Sequence, residues 1–491
     1  MPRAGARAAL GAGEPSGRGW WLFRFPRPAL WLFAGLALAL TLLFERSFAI
    51  DSDEGYTLNA AWQLRHGMRM YDDFRLFVGP GPGYAVLWLW WLVGSASHRA
   101  ARLLAAGFSF SATLAFYLLL RRLEVRSLLA GLAVVVWMIV GALYVPLNHN
   151  SFSSYAAIWA LLPLFSLLRA FERDAAPGAT AAVAGVAVAM VFLFLPTKGA
   201  LLAAAAALWL LSAGLPRRRL RPALTFVGAF AAVVALLCLR WRPTLLVQQW
   251  FLIPLEGNYL GHTGASRGAL VLCAALAGAM GLFAGWSRDR RLALLAVVQA
   301  ALYASTIHNL ELHHVAINAF PAVLFAAVAL DRRLAPASRL LTFPGQAVLA
   351  TVAVTLFAWT LVSPIGARYL AGSTLSVDLL GHGAETAPSP RLAAAHAIYA
   401  GPFLPGLYYL LGKPNPYFVS ETVVCDAACQ RRLVGELEVV RPEVAFLNYA
   451  MVQHLGYDQD APVDAFLRRR YVPCPDRGFF VVRAIDPSWC P

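Results

Sequence analysis

Acidic side chains that could act on a substrate hydroxyl are concentrated in one segment that follows a long apolar run. A carboxylate within hydrogen-bond distance of a hydroxyl can take its proton while the oxygen attacks an electrophilic carbon. Two acids with one residue between them can instead hold a divalent cation that bridges a phosphate. A third interpretation is that the acids only stabilise the amino terminus of a surface helix. The segment, "IDSDEGYTLNAAWQLRHGMRMYDDF" at residues 50–74, contains Asp51, Asp53, Glu54, Asp72 and Asp73.

A cationic candidate lies far along the chain, in the sequence "LFLPTKGALL". It is Lys198, one of only two lysines beside 39 arginines. The apolar runs on either side have about 15 residues each, fewer than the roughly 20 that cross a bilayer as a helix. We therefore expect this Pro-x-x-Gly turn to lie below the membrane surface, where a buried cation requires an anionic partner. The alternative is a lysine whose long side chain reaches the surface from a helix end.

Two further polar segments are expected on the same side of the membrane. Their amide, imidazole and carboxylate groups could contact a polar substrate, and His149 is the candidate from the first segment. A zinc site formed by His308, Glu311 and His314 is one alternative for the second segment, and simple hydrogen bonding at a helix end is another. The segments are "LNHNSFSSY", with Asn148, His149, Asn150 and Tyr155, and "IHNLELHH", with His308, Glu311, His313 and His314.

The elements that must hold these residues are membrane helices. With 59% hydrophobic and 14% charged residues, the 491-residue chain is too apolar for a soluble protein of this length. Most of it consists of apolar runs of 15 to 22 residues between short loops that contain arginine. The sequence therefore predicts an all-α polytopic membrane protein.

The distribution of arginine predicts which side each loop faces. The first span is expected at residues 28–50, and the preceding tail, residues 1–27, contains five arginines and should lie in the cytoplasm. The first loop, residues 51–100, is then on the outer side. A cleaved signal peptide is the alternative, but no small-x-small cleavage site follows the apolar run.

The apolar run "GYAVLWLWWLVGSAS" decides the topology of everything after it. If it lies along the outer surface, cytoplasmic segments contain 20 arginines against 10 basic residues outside; if it crosses, the counts are 11 and 19. The first arrangement agrees with the positive-inside rule, and the tryptophans suit the headgroup level. It gives about 11 transmembrane helices in residues 28–364. After the first, they are expected near 101–120, 127–146, 152–168, 180–195, 200–214, 222–240, 268–286, 291–307, 315–330 and 344–364.

Residues 365–491 differ from the rest and should form a small extracytoplasmic domain. Short apolar runs alternate there with helix-like stretches, which predicts an α/β fold. An even number of cysteines in an oxidising compartment indicates two disulfides, in any of three pairings. A four-cysteine zinc site is the alternative. The four are Cys425, Cys429, Cys474 and Cys490.

The net charge of +15 does not indicate a nucleic-acid partner. Residues 365–491 hold 11 basic and 12 acidic residues, so the positive excess lies in the membrane part. Arginines at span ends are typical of topology signals, and no basic stripe with interleaved aromatic residues is present.

The first outer loop resembles that of the GT-C fold glycosyltransferases, in particular bacterial relatives of the protein O-mannosyltransferases and of the lipid A aminoarabinose transferase. In that family an acidic pair begins the loop, followed by a helix, a Gly-Tyr-Asp element and a Gly/Pro turn into an aromatic helix. The matching residues, in the same order, are Asp53, Glu54, Gly67, Tyr71, Asp73 and the "GPGPG" turn.

The resemblance implies a GT-C-like transferase that takes a sugar, a hexose or a pentose, from a polyprenyl-phosphate carrier. Asp53 would be the general base, with Asp51 and Glu54 as less favoured candidates. Lys198 matches a "tKg" lysine of the family and would bind the donor phosphate. Tyr71, Asp73, His149, Glu311 and His314 would contribute to substrate binding. A divalent cation, Mg²⁺ or Mn²⁺, is an open alternative, with Asp51 and Asp53 as its ligands.

The expected partners are this lipid donor, membrane lipids and an acceptor that is a glycan, a lipid or a protein. The expected location is the bacterial inner membrane. The alternative function is a transporter or flippase of an anionic polyprenyl-phosphate lipid. Two inverted halves with broken helices in matching positions, which would favour transport, are not apparent in the sequence.

Overall fold

Long apolar helices make up most of the chain before residue 335. The computed structural model describes residues 52–138, 147–172, 178–212, 220–253, 264–307, 312–334, 390–419, 421–452, 457–475 and 481–490. Within these ranges, four helices are long and apolar enough to cross a membrane, judged by length and composition. They are α3, α5, α8 and most of α10 in the following numbering.

The helices of this part follow one another with short connections. Those before the first long helix are α1 (Ser52–Arg65) and α2 (Gly81–Val93). The others are α3 (His98–Arg122), α4 (Ser127–Trp137), α5 (His149–Glu172), α6 (Gly178–Phe194), α7 (Pro196–Ser212), α8 (Leu220–Arg240), α9 (Pro243–Val247), α10 (Gly264–Ser287), α11 (Arg290–Ala304), α12 (Leu312–Ile317) and α13 (Phe320–Leu334).

The first loop contains two helices: one that the helical spacing of apolar residues from Tyr56 to His66 predicts, and one formed by the apolar run that is expected along the outer surface. Helix α1 begins earlier than the apolar spacing predicts, so Asp53 and Glu54 lie in its first turn, where the helix dipole favours negative charge. Gly67, just after its end, has a φ of +83°, a conformation that favours glycine. Helix α2 buries Trp90 and exposes Trp88 and Trp91. Its position along the membrane surface stays a prediction.

The described helices match most of the expected spans, with two corrections. The span expected at 315–330 is broken, because α12 ends at Ile317 and α13 begins at Phe320. Lys198 was expected in an irregular turn, but the break is a single residue, Leu195, and Lys198 lies in the first turn of α7. The expected spans at 28–50 and 344–364 lie outside the described residues, so the number of spans and the cytoplasmic tail stay predictions.

The "GPGPG" turn packs directly against the end of α6. A Cβ atom added at Gly79 would lie 2.1 Å from the carbonyl oxygen of Leu193, so only glycine fits there. Gly199, next to Lys198, is equally constrained, because its added Cβ would lie 2.3 Å from the backbone of Phe192. The Gly79 contact places the first loop against the end of α6, and the Gly199 contact places the start of α7 against the same helix.

Residues 390–490 contain the strands and helices expected of an α/β fold. The four-stranded sheet has the order β1-β2-β4-β3; β1 and β2 are parallel, and the other pairs are antiparallel. In register, Ile398 lies opposite Val444, and Val444 lies opposite Ala484. The elements are α14 (Pro390–Ala394), β1 (Ile398–Gly401), α15 (Gly406–Leu410), α16 (Ala427–Val440), β2 (Val444–Leu447), α17 (Tyr449–Val452), α18 (Pro462–Arg470), β3 (Val472–Pro473) and β4 (Val481–Ala484).

The two disulfides expected in this part are present. Cys425 is bonded to Cys429, and Cys474 is bonded to Cys490. The structure thus selects one of the three possible pairings and is inconsistent with the four-cysteine zinc site. The extracytoplasmic position of residues 365–491 stays a prediction.

The carboxy-terminal half of α1 is attached to the sheet-containing part. Trp62 Nε1 donates a hydrogen bond to the carbonyl oxygen of Lys413 at 2.8 Å, and Gln63 Nε2 donates to that of Asn415 at 3.3 Å. Nearby, the backbone N–H of Arg75 donates to the carbonyl oxygen of Phe418 at 2.7 Å. The carboxy-terminal end of the helix that carries the acidic pair is therefore held against this part of the chain.

Candidate functional site

Asp53 is joined to the loop that precedes α5. Asn148 Nδ2 donates a hydrogen bond to Asp53 Oδ2 at 2.6 Å. The other end of the same amide, Oδ1, accepts from the backbone N–H of Asn150 at 2.6 Å, as a helix N-cap does. Because both ends of the Asn148 amide are used, its orientation is fixed. The Asp53 side chain is half-buried, so it remains reachable from outside.

Asn150 connects two histidines from different helices. Its Nδ2 lies 3.1 Å from Nε2 of His149 and 2.9 Å from Nε2 of His314 in α12. An amide nitrogen only donates, so both Nε2 atoms act as acceptors in this arrangement. The expected residues His149 and His314 are thus brought together through an asparagine between them.

Lys198 of α7 contacts the first two turns of α5. Its side chain is fully buried, and Nζ donates to the carbonyl oxygen of Asn150 at 3.2 Å and to Ser154 Oγ at 2.8 Å. Both acceptors are neutral, and among the described residues no carboxylate forms an ion pair with this ammonium. A charge in this position is normally paired. The arrangement can therefore accommodate an anion.

A deeper row of hydrogen bonds supports this cluster. Ser154 Oγ donates to Asn318 Oδ1 at 3.0 Å, and Asn318 Nδ2 donates to the carbonyl oxygen of His314 at 2.9 Å. Gln299 of α11 bonds to both sides of the break between α12 and α13, through the carbonyl oxygen of Asn318 and the backbone N–H of Ala322. The side-chain amide of Gln299 therefore stabilises the break, because it satisfies backbone groups that have no partner within a helix.

Glu54 has an environment different from that of Asp53. Its side chain is 1% exposed, and its two oxygens accept hydrogen bonds from Arg102 at 2.8 and 3.0 Å. His98 Nε2 lies 2.6 Å from the same carboxylate. Burial alone would raise the pKa of Glu54, but the hydrogen bonds and charges of His98 and Arg102 outweigh it and lower the pKa below 4.5. The contacts attach α1 to α3, and a direct role of Glu54 on substrate stays a prediction.

Replacement of Glu54 with glutamine is expected to destabilise the protein by about 3 to 5 kcal/mol, because it removes a carboxylate that pairs with the buried guanidinium of Arg102. The measurement is the unfolding midpoint of the purified protein in detergent. Because folding lowers the pKa of Glu54, the stabilisation is present at neutral pH and is lost as the pH falls through the lowered value. The difference between native protein and variant should therefore shrink in acid.

Two further variants make this prediction specific. The double change Glu54→Gln with Arg102→Met removes both charges and should recover part of the lost stability. The matched control is Arg69→Gln, which breaks the exposed pair between Arg69 and Asp73 and should cost at most about 0.5 kcal/mol. Equal losses in the Glu54 and Arg69 variants would contradict the buried pair as the cause.

Tyr71 and Asp73 do not join the cluster around Asp53. The hydroxyl of Tyr71 donates to the carbonyl oxygen of Val78 at 2.8 Å and accepts from Trp250 Nε1 at 2.8 Å. Burial raises the pKa of Tyr71 well above its ordinary value. Asp73 accepts from the backbone and side chain of Arg69 and stabilises the turn. These contacts favour structural roles, and substrate binding by either residue stays a prediction without support from them.

Of the proposed acidic and histidine metal ligands, the structure describes Asp53 and His314. Asp51, His308 and Glu311 lie outside the described residues. Within the described part of the chain, no group of three or more His, Cys, Asp or Glu side chains could hold a metal ion. The Asp53 carboxylate is instead bonded to an amide.

The sequence indicated Asp53, Lys198 and two histidines as candidates, but not how they are connected. The histidines are His149 and His314. The role of Asn148 as a helix cap was detectable, since asparagine followed by a helical pattern is a common start signal. The pairing of Glu54 with His98 and Arg102, 44 and 48 residues later, leaves no local pattern.

Comparison with known proteins gives similarity in fold. No protein-family model matches the sequence, and no curated protein matches it in sequence. Solved structures that resemble it include ArnT from Cupriavidus metallidurans bound to undecaprenyl phosphate, at 14% identity and a TM-score of 0.64 over 94% of this chain and 99% of that chain.

Two other solved structures are similar to this chain in fold. ArnT of Cupriavidus metallidurans in the apo state has 15% identity and a TM-score of 0.59, over 94% of this chain and 98% of that chain. The oligosaccharyltransferase AglB from Archaeoglobus fulgidus, in complex with an inhibitory peptide and a dolichol-phosphate, has 11% identity and a TM-score of 0.51. It aligns over 96% of this chain and 75% of that chain.

Proposed function

Because this integral multi-pass membrane protein has the GT-C glycosyltransferase fold, we propose that it transfers a sugar from a polyprenyl-phosphate carrier to an acceptor hydroxyl. Two of the similar structures hold undecaprenyl phosphate or dolichol-phosphate, which supports a lipid-linked donor here. Transfer takes place on the extracytoplasmic face of the bacterial inner membrane.

One observation carries the proposal: the segment from Asn148 to Asn150, at the start of α5, contacts both the Asp53 carboxylate and the Lys198 ammonium. Asn148 donates to Asp53, and the carbonyl oxygen of Asn150 accepts from Lys198. A reachable base and a cation that has no acidic partner among the described residues thus contact one short segment. Glycosyl transfer from a phosphate needs this pair of groups.

Asp53 is the general base. The acceptor oxygen attacks the anomeric carbon, the bond from that carbon to the phosphate oxygen breaks, and the hydroxyl proton passes to the Asp53 carboxylate. Asn148 holds one carboxylate oxygen in place through Nδ2. Glu54 acts as a positioning residue, because its pairing with Arg102 fixes the helix that carries Asp53.

Lys198 binds the phosphate of the donor and of the leaving lipid. Its ammonium has only neutral partners among the described residues, so an approaching phosphate gains a charge-assisted hydrogen bond. The flexible stem of a lysine allows the ammonium to turn from Ser154 towards the phosphate. His314 and Asn150 provide further polar contact beside it.

The arrangement of α5 favours transfer over transport. Polar side chains are buried along its first two turns, as far as Tyr155. From Ala156 to Phe165 its buried side chains are all apolar. A carrier of phosphate would need polar groups along the path to the other side.

Mass spectrometry of glycolipids and glycoproteins from cells with and without the protein tests this function. We expect one class of surface molecule to lose a single sugar when the protein is missing. The same comparison identifies the sugar, hexose or pentose, and the acceptor. Identical glycan profiles with a polyprenyl phosphate that accumulates in one leaflet would contradict transfer and favour a flippase.

A further inference from the structure

A groove between α10 and α11 has the features of a binding site that sugar transfer does not use. Its volume is about 340 Å³, within the range of about 300 to 1,000 Å³ for ligand pockets. Gly281 and Gly285 of α10 and Ala293 and Ala296 of α11 contribute to its wall. A Cβ atom added at either glycine would meet no atom of the described residues within 4 Å. The glycine face of the groove is therefore open.

Two arginines at the mouth of this groove have no acidic partner within the described part of the chain. They are Arg288 and Arg290, both exposed. The acid between them, Asp289, caps α11 by accepting from the backbone N–H of Arg291 at 2.7 Å, and it pairs with Arg332. Because the nearest acid is already engaged, the mouth carries two uncompensated positive charges among the described residues.

The groove lies at the end of the helices opposite the candidate site. Arg291, at the start of α11, lies 3.7 Å from Glu172, the last residue of α5. His149, in the candidate site, is the first residue of α5, and 24 helical residues span about 35 Å. With the topology expected from the arginine distribution, the mouth faces the cytoplasmic leaflet, which contains anionic lipids.

We propose that this groove binds an anionic glycerophospholipid, with an acyl chain along the glycine face and the headgroup phosphate against Arg288 and Arg290. Guanidinium groups match phosphate oxygens in geometry and charge. A neutral lipid, or an apolar helix of another protein, would leave both guanidinium groups without a partner. The charges at the mouth therefore select the anionic lipid.

Native mass spectrometry of the purified full-length protein tests the site, with phosphatidylglycerol as the probe and phosphatidylcholine as the neutral comparison. We expect native protein to retain phosphatidylglycerol preferentially. The double change Arg288→Gln with Arg290→Gln should weaken retention about 25-fold, from about fivefold per arginine. Gly285→Leu should block the groove while both arginines remain.

The matched control is Gly268→Leu, on the same helix but 17 residues before Gly285, about 25 Å along the axis. A Cβ atom at Gly268 also meets no described atom within 4 Å, and leucine is a better helix former than glycine, so both leucine variants should fold. Equal retention of the two lipids, or unchanged retention in the arginine variant or in Gly285→Leu, would overturn the proposal. So would the loss of a copurifying protein from Gly285→Leu with lipid retention unchanged. Sugar transfer can fail or succeed independently of these outcomes.

Discussion

Replacement of Asp53 with asparagine is expected to reduce sugar transfer by about 10³-fold, within the range of about 10²- to 10⁴-fold for a general base. Asparagine keeps the shape of the side chain, and its amide oxygen can still accept the hydrogen bond from Asn148. The local structure should therefore persist while the proton acceptor is lost. The measurement is the rate of sugar release from the lipid donor by purified protein at saturating donor.

The control for this variant is Asp72→Asn. Asp72 belongs to the same loop and is exposed, so the change removes an equal charge without altering the site. Its transfer rate should stay within twofold of the native rate. If the Asp53 variant kept more than a tenth of the native rate, another group would have to be the base.

Replacement of Lys198 with methionine is expected to weaken binding of the lipid phosphate and to lower transfer by about 10²- to 10³-fold, the loss typical of one preorganised donor. Methionine fills a similar space without the charge. Since the ammonium is buried beside neutral acceptors, its removal should leave the ligand-free protein at least as stable. Binding of undecaprenyl phosphate, followed by native mass spectrometry, is the direct measurement.

The second lysine of the chain provides the control. Lys413 lies in the sheet-containing part, where Nζ donates to the carbonyl oxygens of Ala393 and Ala395. Lys413→Met removes the same charge from a structural position and should not change lipid binding. Undiminished binding in the Lys198 variant would mean that the phosphate is held elsewhere, and the proposed function would lose its cationic group.

Local patterns were sufficient for much of the fold. The apolar spacing between Tyr56 and His66, followed by Gly67, is typical of a helix and matches α1. The short apolar runs "HAIYAGPF", "EVAFLNYA" and "GFFVVRAI" contain β1, β2 and β4. These signals depend on neighbours within a few residues. The start of α7 was also detectable, since proline is favoured at the first position of a helix and Pro196 occupies it in α7.

The distinction between Asp53 and Glu54 could not be read in this way. Adjacent acids in one helical turn point to different sides of the helix, and their roles depend on what each side meets. Glu54 meets Arg102 of α3, and Asp53 meets Asn148. Both partners are more than 40 residues away, so tertiary packing determines which acid remains available for chemistry.

The hydrogen bonds of Trp62 and Gln63 hold the end of α1 that is remote from Asp53, so a tilt of the helix at that end changes the position of Asp53. About ten residues, or roughly 15 Å of helix, separate the hydrogen bonds to Lys413 and Asn415 from the Asp53 carboxylate. A tilt of α1 by about 4° at these hydrogen bonds would displace the carboxylate by about 1 Å. A catalytic group misplaced by that distance can lower the reaction rate about 10²-fold. In the proposed mechanism, the stiffness of this remote attachment therefore contributes, with Arg102 and Asn148, to holding Asp53 in position for proton removal.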